Sequence, residues 1–147
     1  MIAVIDYGVG NLFSLCCSLE AIGSESIVTS DPEVIRSADR IILPGVGAFG
    51  DAVEKLRSTG LDKVVVEQAN AGKPVFGICL GMQLLFEKSY EYGEHRGLSL
   101  LKGSVVPMEG RIPQDAWGGR RHVAALLRRL CADVHRARHP RAGICGQ

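Results

Sequence analysis

One cysteine lies between two apolar segments flanked by glycines, in the stretch PVFGICLGMQLLF at residues 74–86. The residues before Cys79 are typical of a buried strand, and the apolar spacing after it is typical of a helix. Gly77 and Gly81 allow the chain to turn sharply between the two elements. A nucleophilic side chain on such a strand–turn–helix elbow is presented for attack on a carbonyl carbon. The sequence therefore predicts that Cys79 is a nucleophile.

The predicted elbow would also assist the thiol of Cys79. A thiol at the N-terminus of a helix lies at the positive end of the helix dipole, which favours the reactive thiolate. The backbone amide of Leu80 would point to the same place and could bind a developing oxyanion. The alternative is that Cys79 is a small buried residue at a tight turn, as most isolated cysteines are. The agreement of glycines, strand and helix favours the nucleophile.

Strands and helices alternate along most of the chain. Short apolar runs predict strands over residues 2–5, 26–29, 41–43 and 75–78 and within 100–107. Helical spacing predicts a helix between Asn11 and Gly23, a short helical turn at Pro32, two helices between residues 52 and 71, and a helix over residues 81–90. This alternation predicts an α/β fold with a mainly parallel sheet and helices on both faces. Ligands bind at the carboxyl ends of such strands, where the loops after the third and fourth strands lie.

The composition divides the chain into two segments. Residues 1–113 contain five lysines and five arginines against fourteen acidic residues, whereas residues 114–147 contain seven arginines, no lysine and two aspartates. Such an abrupt change predicts one domain over residues 1–113 and an unrelated or disordered basic tail over residues 114–147. The formal net charge of the whole chain is only +1. Bulk charge therefore does not indicate a nucleic-acid partner.

Neither a membrane segment nor a metal site is predicted. No stretch approaches the roughly eighteen apolar residues that would span a bilayer. The N-terminus has no basic region before an apolar run, so no secretory signal is predicted and a cytoplasmic location is expected. The remaining cysteines show no metal-ligand spacing and are expected to be free thiols. They are Cys16, Cys17, Cys131 and Cys145.

Four segments together resemble one family of glutamine-hydrolysing enzymes. Residues 77–83 (GICLGMQ) resemble the class I glutamine amidotransferase motif. Residues 5–11 (IDYGVGN), 42–50 (ILPGVGAFG) and 97–103 (GLSLLKG) resemble the first strand and loop, the oxyanion strand and a later strand of the glutaminase subunit of imidazole glycerol phosphate synthase, from histidine biosynthesis. The resemblance covers about residues 1–113. The combination is more specific than the cysteine elbow alone, which would indicate only the superfamily.

The resemblance implies a class I amidotransferase fold and a reaction on L-glutamine. Cys79 would attack the side-chain amide, ammonia would leave, and water would release glutamate from the thioester. Backbone amides of Leu80, Val46 and Gly47 would hold the oxyanion. Gly45 and Gly47 allow a peptide plane to turn without a Cβ clash, which suggests a donor that swings into place when a partner signals. The alternative is a plain turn.

The resemblance also implies contacts with substrate and partner. Gly45 and Gln83 would lie at the bound glutamine, although Gln83 could instead be a polar residue on an exposed helix face. Asn11 and the loop at residues 7–10 would contact the cyclase subunit, a (β/α)₈ barrel, in a heterodimer that takes up the ammonia. Asn11 could also simply cap the helix that follows it. No metal or organic cofactor is implied.

The general base of such an enzyme has no convincing counterpart. A cysteine nucleophile needs a base and a group that orients it, which in this family are a histidine and a glutamate in a late His-Pro-Glu segment. His139 is followed by proline, but then by Arg141 instead of glutamate. His122 and His135 fall in the basic tail, and His95 is expected to be solvated in a polar loop. Turnover by this chain is therefore expected to be impaired.

The basic tail suggests a change of reading frame. It is rich in Arg, Ala, His, Gly and Cys and lacks Lys, Phe and Tyr, although Trp117 stands at the offset expected in the family. A frameshift near residues 111–118 would leave the fold C-terminally incomplete. The competing interpretation is a non-catalytic remnant that at most binds the cyclase. A nucleic-acid binder is less favoured because the tail lacks interleaved aromatic residues. Another glutaminase, the one that serves pyridoxal phosphate synthesis, is disfavoured by the sequences of residues 42–50 and 5–11.

Overall fold

Four short parallel strands form the centre of the fold in the computed structural model, which describes residues 1–107. They are β1 (Ile2–Ile5), β2 (Ser26–Thr29), β3 (Arg40–Leu43) and β4 (Val75–Gly77). Their order is β2-β1-β3-β4, and every neighbouring pair is parallel. The carboxyl ends of the four strands therefore meet at one edge of the sheet, as the alternation of strands and helices predicts.

Helices cover both faces of this sheet. They are α1 (Leu12–Ala21), α2 (Pro32–Ser37), α3 (Phe49–Ser58) and α4 (Leu61–Asn70). Side chains alternate between the faces along each strand: Val4 and Ile42 pack with Leu19 of α1, whereas Ile5 and Leu43 belong to a second cluster built with α2, α3 and α4. The predicted α/β fold, a mainly parallel sheet with helices on both faces, is confirmed.

The predicted helix over residues 81–90 is wrong in its second half. Helix α5 (Leu80–Leu84) is short, and a second sheet follows with the order β6-β5-β7. Its strands are β5 (Phe86–Ser89), β6 (His95–Arg96) and β7 (Leu101–Val105). In a longer helix the carbonyls of Leu84 and Phe86 would accept hydrogen bonds from amides four residues later. Here they accept from Leu98 and Ser99, at 2.8 and 3.1 Å, so long-range pairing overrides the helical spacing.

The prediction that His95 lies solvated in a polar loop is also wrong. His95 is the first residue of β6 and is half-buried. Its ring centroid lies 6.5 Å from that of Phe49, and a Cβ built on Gly50 would lie 2.7 Å from its Cε1 atom. The pairing of β6 with β5 holds the imidazole against the start of α3.

The predicted boundary between residues 113 and 114 lies outside the described residues, and so does the basic tail. Both stay predictions. Among residues 1–107, no helix has the length and apolar character needed to cross a membrane.

Removal of a core aromatic ring tests this packing. Phe49 is fully buried at the start of α3, whereas Phe13 on α1 is 80% exposed. We expect Phe49→Ala to lower the free energy of unfolding by about 3–5 kcal/mol, because it leaves a cavity in the core. The matched variant Phe13→Ala should change it by less than about 0.5 kcal/mol. Urea unfolding of the two variants measures both values, and equal losses would contradict the assigned core.

Candidate active site

Cys79 lies in the sharp turn between β4 and α5. Its backbone dihedral angles are φ 53° and ψ −115°, and the residue is exposed. A non-glycine residue in this region costs of order 1–3 kcal/mol and persists only where the surroundings enforce it. The structure therefore presents the thiol on a strained elbow at the carboxyl edge of the sheet, as the sequence predicts.

Two glycines enforce the conformation of the elbow. A Cβ built on Gly77 would lie 2.6 Å from the amide nitrogen of Met82, and one built on Gly81 would lie 2.7 Å from the carbonyl carbon of Leu43. Neither position therefore has room for a side chain. The amide of Ile78 also donates to the carbonyl of Leu43, at 3.0 Å. The turn that carries Cys79 is thus held directly against the end of β3.

One backbone amide beside the thiol has no recorded partner within residues 1–107. The amides of Gly81, Met82 and Gln83 donate to carbonyls of Ile78 and Cys79, at 3.0 to 3.2 Å. The amide of Leu80 stands at the first position of α5, where no carbonyl of the same helix can accept from it. Because α5 has only five residues, its dipole is short. A negative oxygen at Cys79 would therefore be stabilised mainly by the Leu80 amide itself and less by the dipole of the helix.

The loop after β3 packs against this elbow. Gly45 is buried, and a Cβ built there would lie 2.7 Å from the amide nitrogen of Gly81 and 3.0 Å from the Cβ of Leu80. Val46 is 54% exposed, and Gly47 has φ 99° with nothing within 4 Å of a built Cβ. Neither amide of the last two residues has a hydrogen-bond partner recorded in the described part of the chain. The structure thus brings the two predicted oxyanion segments together.

Tyr7 joins the loop after β1 to the loop after β3. Its hydroxyl donates to the carbonyl of Pro44 across 2.7 Å, and the residue is only 4% exposed. Burial raises the pKa of Tyr7 to about 12. A Cβ built on Gly10 would lie 3.2 Å from the Cβ of Pro44. Sequence reasoning missed this contact, because nothing in the spacing shows which residue lies across the sheet edge from Tyr7.

The two remaining predicted site residues have simple local geometry. Gln83 is half-buried one helical turn after Cys79, and its own amide donates to the Cys79 carbonyl at 3.2 Å. Asn11 is exposed, and its Oδ1 atom accepts from the amide of Ser14 at 3.3 Å. Asn11 therefore caps α1, and this geometry agrees both with capping alone and with an additional contact to a partner.

An open cavity of about 530 Å³ lies beside the loop after β3, but Cys79 does not line it. Glu91 lines the cavity and accepts the Phe49 amide at 2.7 Å. The elbow is the better candidate site, because it presents an exposed thiol beside a backbone amide that has no partner recorded within residues 1–107. His122, His135 and His139 fall outside the described residues. Within residues 1–107, no group of three or more His, Cys, Asp or Glu residues is placed to hold a metal ion.

The chain is similar to known glutamine amidotransferase domains and to HisH subunits. A family model described as a CobB/CobQ-like glutamine amidotransferase domain matches residues 2–127. The chain is 49% identical over 124 residues to imidazole glycerol phosphate synthase subunit HisH of Wolinella succinogenes, covering 80% of this chain and 60% of that protein. It is 54% identical over 117 residues to the HisH subunit of Aquifex aeolicus, covering 78% and 56%.

A solved structure shares the fold. A crystal structure of a glutamine amidotransferase matches with a TM-score of 0.63 and 21% identity, covering 75% of this chain and 58% of that one. The two HisH relatives confirm the resemblance carried by the four sequence segments. The chain spans only 56–60% of the length of these two relatives.

A methyl group at Gly81 tests the packing of the elbow. We expect Gly81→Ala to lower the free energy of unfolding by about 2–3 kcal/mol, because its Cβ has no space beside Leu43. Gly72 is the matched control, since its φ is 91° and nothing lies within 4 Å of a built Cβ. Gly72→Ala should cost only the left-handed backbone penalty of about 1–2 kcal/mol. Chemical unfolding compares them, and a smaller loss at Gly81 would refute the tight packing.

The buried hydroxyl of Tyr7 predicts a loss of stability at high pH. The unfolded chain loses this proton near pH 10.0 and the folded protein near pH 12. Between these values the unfolded state binds fewer protons, so the free energy of unfolding falls by about 2–3 kcal/mol as pH rises. Tyr7→Phe should flatten that part of the profile. Tyr92→Phe, at a residue 92% exposed, should leave it unchanged, and identical slopes in all three proteins would disprove the assignment.

Proposed function

The chain belongs to the CobB/CobQ-like glutamine amidotransferase domain family, and on that premise we propose that it is a glutaminase subunit of the HisH type. It hydrolyses L-glutamine to glutamate and passes the ammonia to a cyclase subunit in histidine biosynthesis, in the cytoplasm. The observation that carries this proposal is the exposed thiol of Cys79 on a strained elbow beside the Leu80 amide, which has no partner recorded within residues 1–107.

In the proposed reaction, the Cys79 thiolate attacks the side-chain carbonyl carbon of glutamine. The carbonyl electrons move to oxygen, and the tetrahedral oxyanion forms beside the elbow. The nitrogen takes a proton from water, and collapse of the oxyanion restores the carbonyl and expels ammonia, leaving a glutamyl thioester. Water then attacks the thioester, releases glutamate and returns the thiol. Covalent catalysis divides one difficult amide hydrolysis into two easier steps.

Backbone amides stabilise the oxyanion in this proposal. The amide of Leu80 supplies one donor, and an amide at Val46 or Gly47 supplies the second. The packing of Gly45 on Leu80 and the lack of a recorded partner for these amides within residues 1–107 support the assignment. The positive φ of Gly47 is consistent with a peptide plane that turns toward Cys79 when a partner binds.

Glutamine binding is assigned to Gly45 and Gln83, and partner binding to Asn11. Gln83 lies one turn beyond the nucleophile, and Gly45 packs directly against Leu80 and Gly81, the two residues that follow Cys79. Asn11 is exposed at the start of α1, on the same sheet edge as the thiol. A (β/α)₈ cyclase barrel seated there would form a heterodimer and receive ammonia directly. The chemistry needs no metal or organic cofactor.

Glutamate release measured with added cyclase tests the proposal. The full chain should release glutamate from glutamine, at a rate kept low by the expected lack of a general base, and Cys79→Ser should abolish this release because the nucleophile is lost. Cys17→Ser is the matched control, since Cys17 is an exposed thiol on α1, outside the site. That variant should keep the parent rate.

The same assay separates the two interpretations of the chain. Release no faster than that of Cys79→Ser would exclude a functional glutaminase and favour a non-catalytic chain that only binds the cyclase. His139 is the one tail histidine followed by proline, but Arg141 stands where the family has glutamate. A rate far below that of a complete glutaminase subunit would agree with the expected impairment.

A further inference from the structure

We propose that Tyr7 is a positioning residue for acyl transfer at Cys79. Its hydroxyl holds the carbonyl of Pro44, and so fixes the first peptide of the loop at residues 44–47 beside the thiol. The inference rests on the proposed function, because it concerns the oxyanion donors of that reaction. Tyr7 itself touches no reacting atom and acts only through the loop.

The hydrogen bond fixes more than one carbonyl. A peptide group is planar, so holding the Pro44 oxygen also sets the direction of the Gly45 amide on the opposite side of the same plane. The proline ring holds φ of Pro44 near its usual value. Rotation in the loop is therefore confined to the peptides after Gly45, which carry the amides of Val46 and Gly47.

The Tyr7 end of the contact is rigid. Tyr7 lies two residues beyond β1, is 4% exposed and belongs to the main hydrophobic cluster. The preceding residue is tied to the sheet, since the Asp6 amide donates to the carbonyl of Thr29 at 2.9 Å. Asp6 Oδ1 also accepts from the amide of Gly8 at 3.1 Å. The hydroxyl therefore belongs to a buried side chain whose backbone is fixed at the edge of the sheet.

The hydroxyl also limits the space around the elbow. A Cβ built on Gly45 would lie 3.0 Å from the Tyr7 oxygen, 3.0 Å from the Leu80 Cβ and 2.7 Å from the Gly81 nitrogen. Gly45 is therefore enclosed between the tyrosine and the residues that follow Cys79. Because burial raises the pKa of Tyr7 to about 12, the hydroxyl keeps its proton and remains a donor at neutral pH.

Two reagents test this role, of which one reacts with the thiolate through an oxyanion and the other does not. With p-nitrophenyl acetate, the Cys79 thiolate adds to the ester carbonyl, an oxyanion forms, and p-nitrophenolate leaves. With iodoacetamide, the same thiolate displaces iodide and no oxyanion forms. The rate of each reaction at Cys79 is followed by mass spectrometry of its peptide, and Cys17 in the same samples serves as the internal reference.

We expect Tyr7→Phe to lower the ratio of acylation to alkylation at Cys79 by about tenfold, the size of one hydrogen bond. The ratio at Cys17 should not change. Tyr90→Phe is the matched control, because Tyr90 lies outside the site at the end of β5 and contacts Lys88. A purely structural tyrosine would lower the melting temperature and leave the ratio at Cys79 as it was, and that result would overturn the proposal.

A second variant covers the case in which Tyr7→Phe does not fold. A ring-trifluorinated tyrosine at position 7 keeps the shape and the hydroxyl but ionises at a much lower pH than tyrosine. Its acylation-to-alkylation ratio should fall as the phenol loses its proton, whereas the parent ratio should stay level over that range. A level ratio in both proteins would reject the role of Tyr7. Neither readout needs glutamine turnover, so a chain that releases no glutamate would still give a clear answer.

Discussion

The interlocking of two turns at one sheet edge is the constraint on which the site depends. Gly81 sits against the carbonyl group of Leu43, and Gly77 sits against the backbone of Met82. This contact holds Cys79 at a positive φ that a cysteine would otherwise leave. The same contact places the loop after β3 beside the thiol, so the candidate nucleophile and its candidate oxyanion donors are positioned by the same backbone packing.

The rest of the fold keeps that edge rigid while leaving it open. The two hydrophobic clusters lie on the faces of the sheet and hold β1, β3 and β4 in register. The candidate site residues lie on the loops beyond the strand ends, where side chains remain accessible. Tyr7 is the exception, because its side chain is buried in the core, where its hydroxyl donates to the carbonyl of Pro44. Rigid strands with exposed loops suit the proposed site, at which a small amide and a protein partner would bind.

The region after Cys79 shows where local patterns fail. Met82, Leu85 and Phe86 have helical spacing, yet the chain leaves the helix after Leu84. Backbone groups near residues 97–101 pair with the carbonyls of residues 84–87 instead. The same pairing creates β6 and holds His95 against Phe49. Apolar spacing indicates which side chains are buried. It does not indicate which distant segment forms hydrogen bonds with the backbone.

The amino-acid sequence alone predicts the α/β class, the parallel strands and the elbow at Cys79, because these follow from local periodicity and from glycines at a turn. It also pointed to the family through four short segments. Local patterns could not predict that Gly45 packs on Leu80, that Tyr7 binds Pro44 and that residues 86–89 form a strand. These contacts join residues far apart in the chain, and their partners are chosen by backbone hydrogen bonding and by the space left when the sheet assembles.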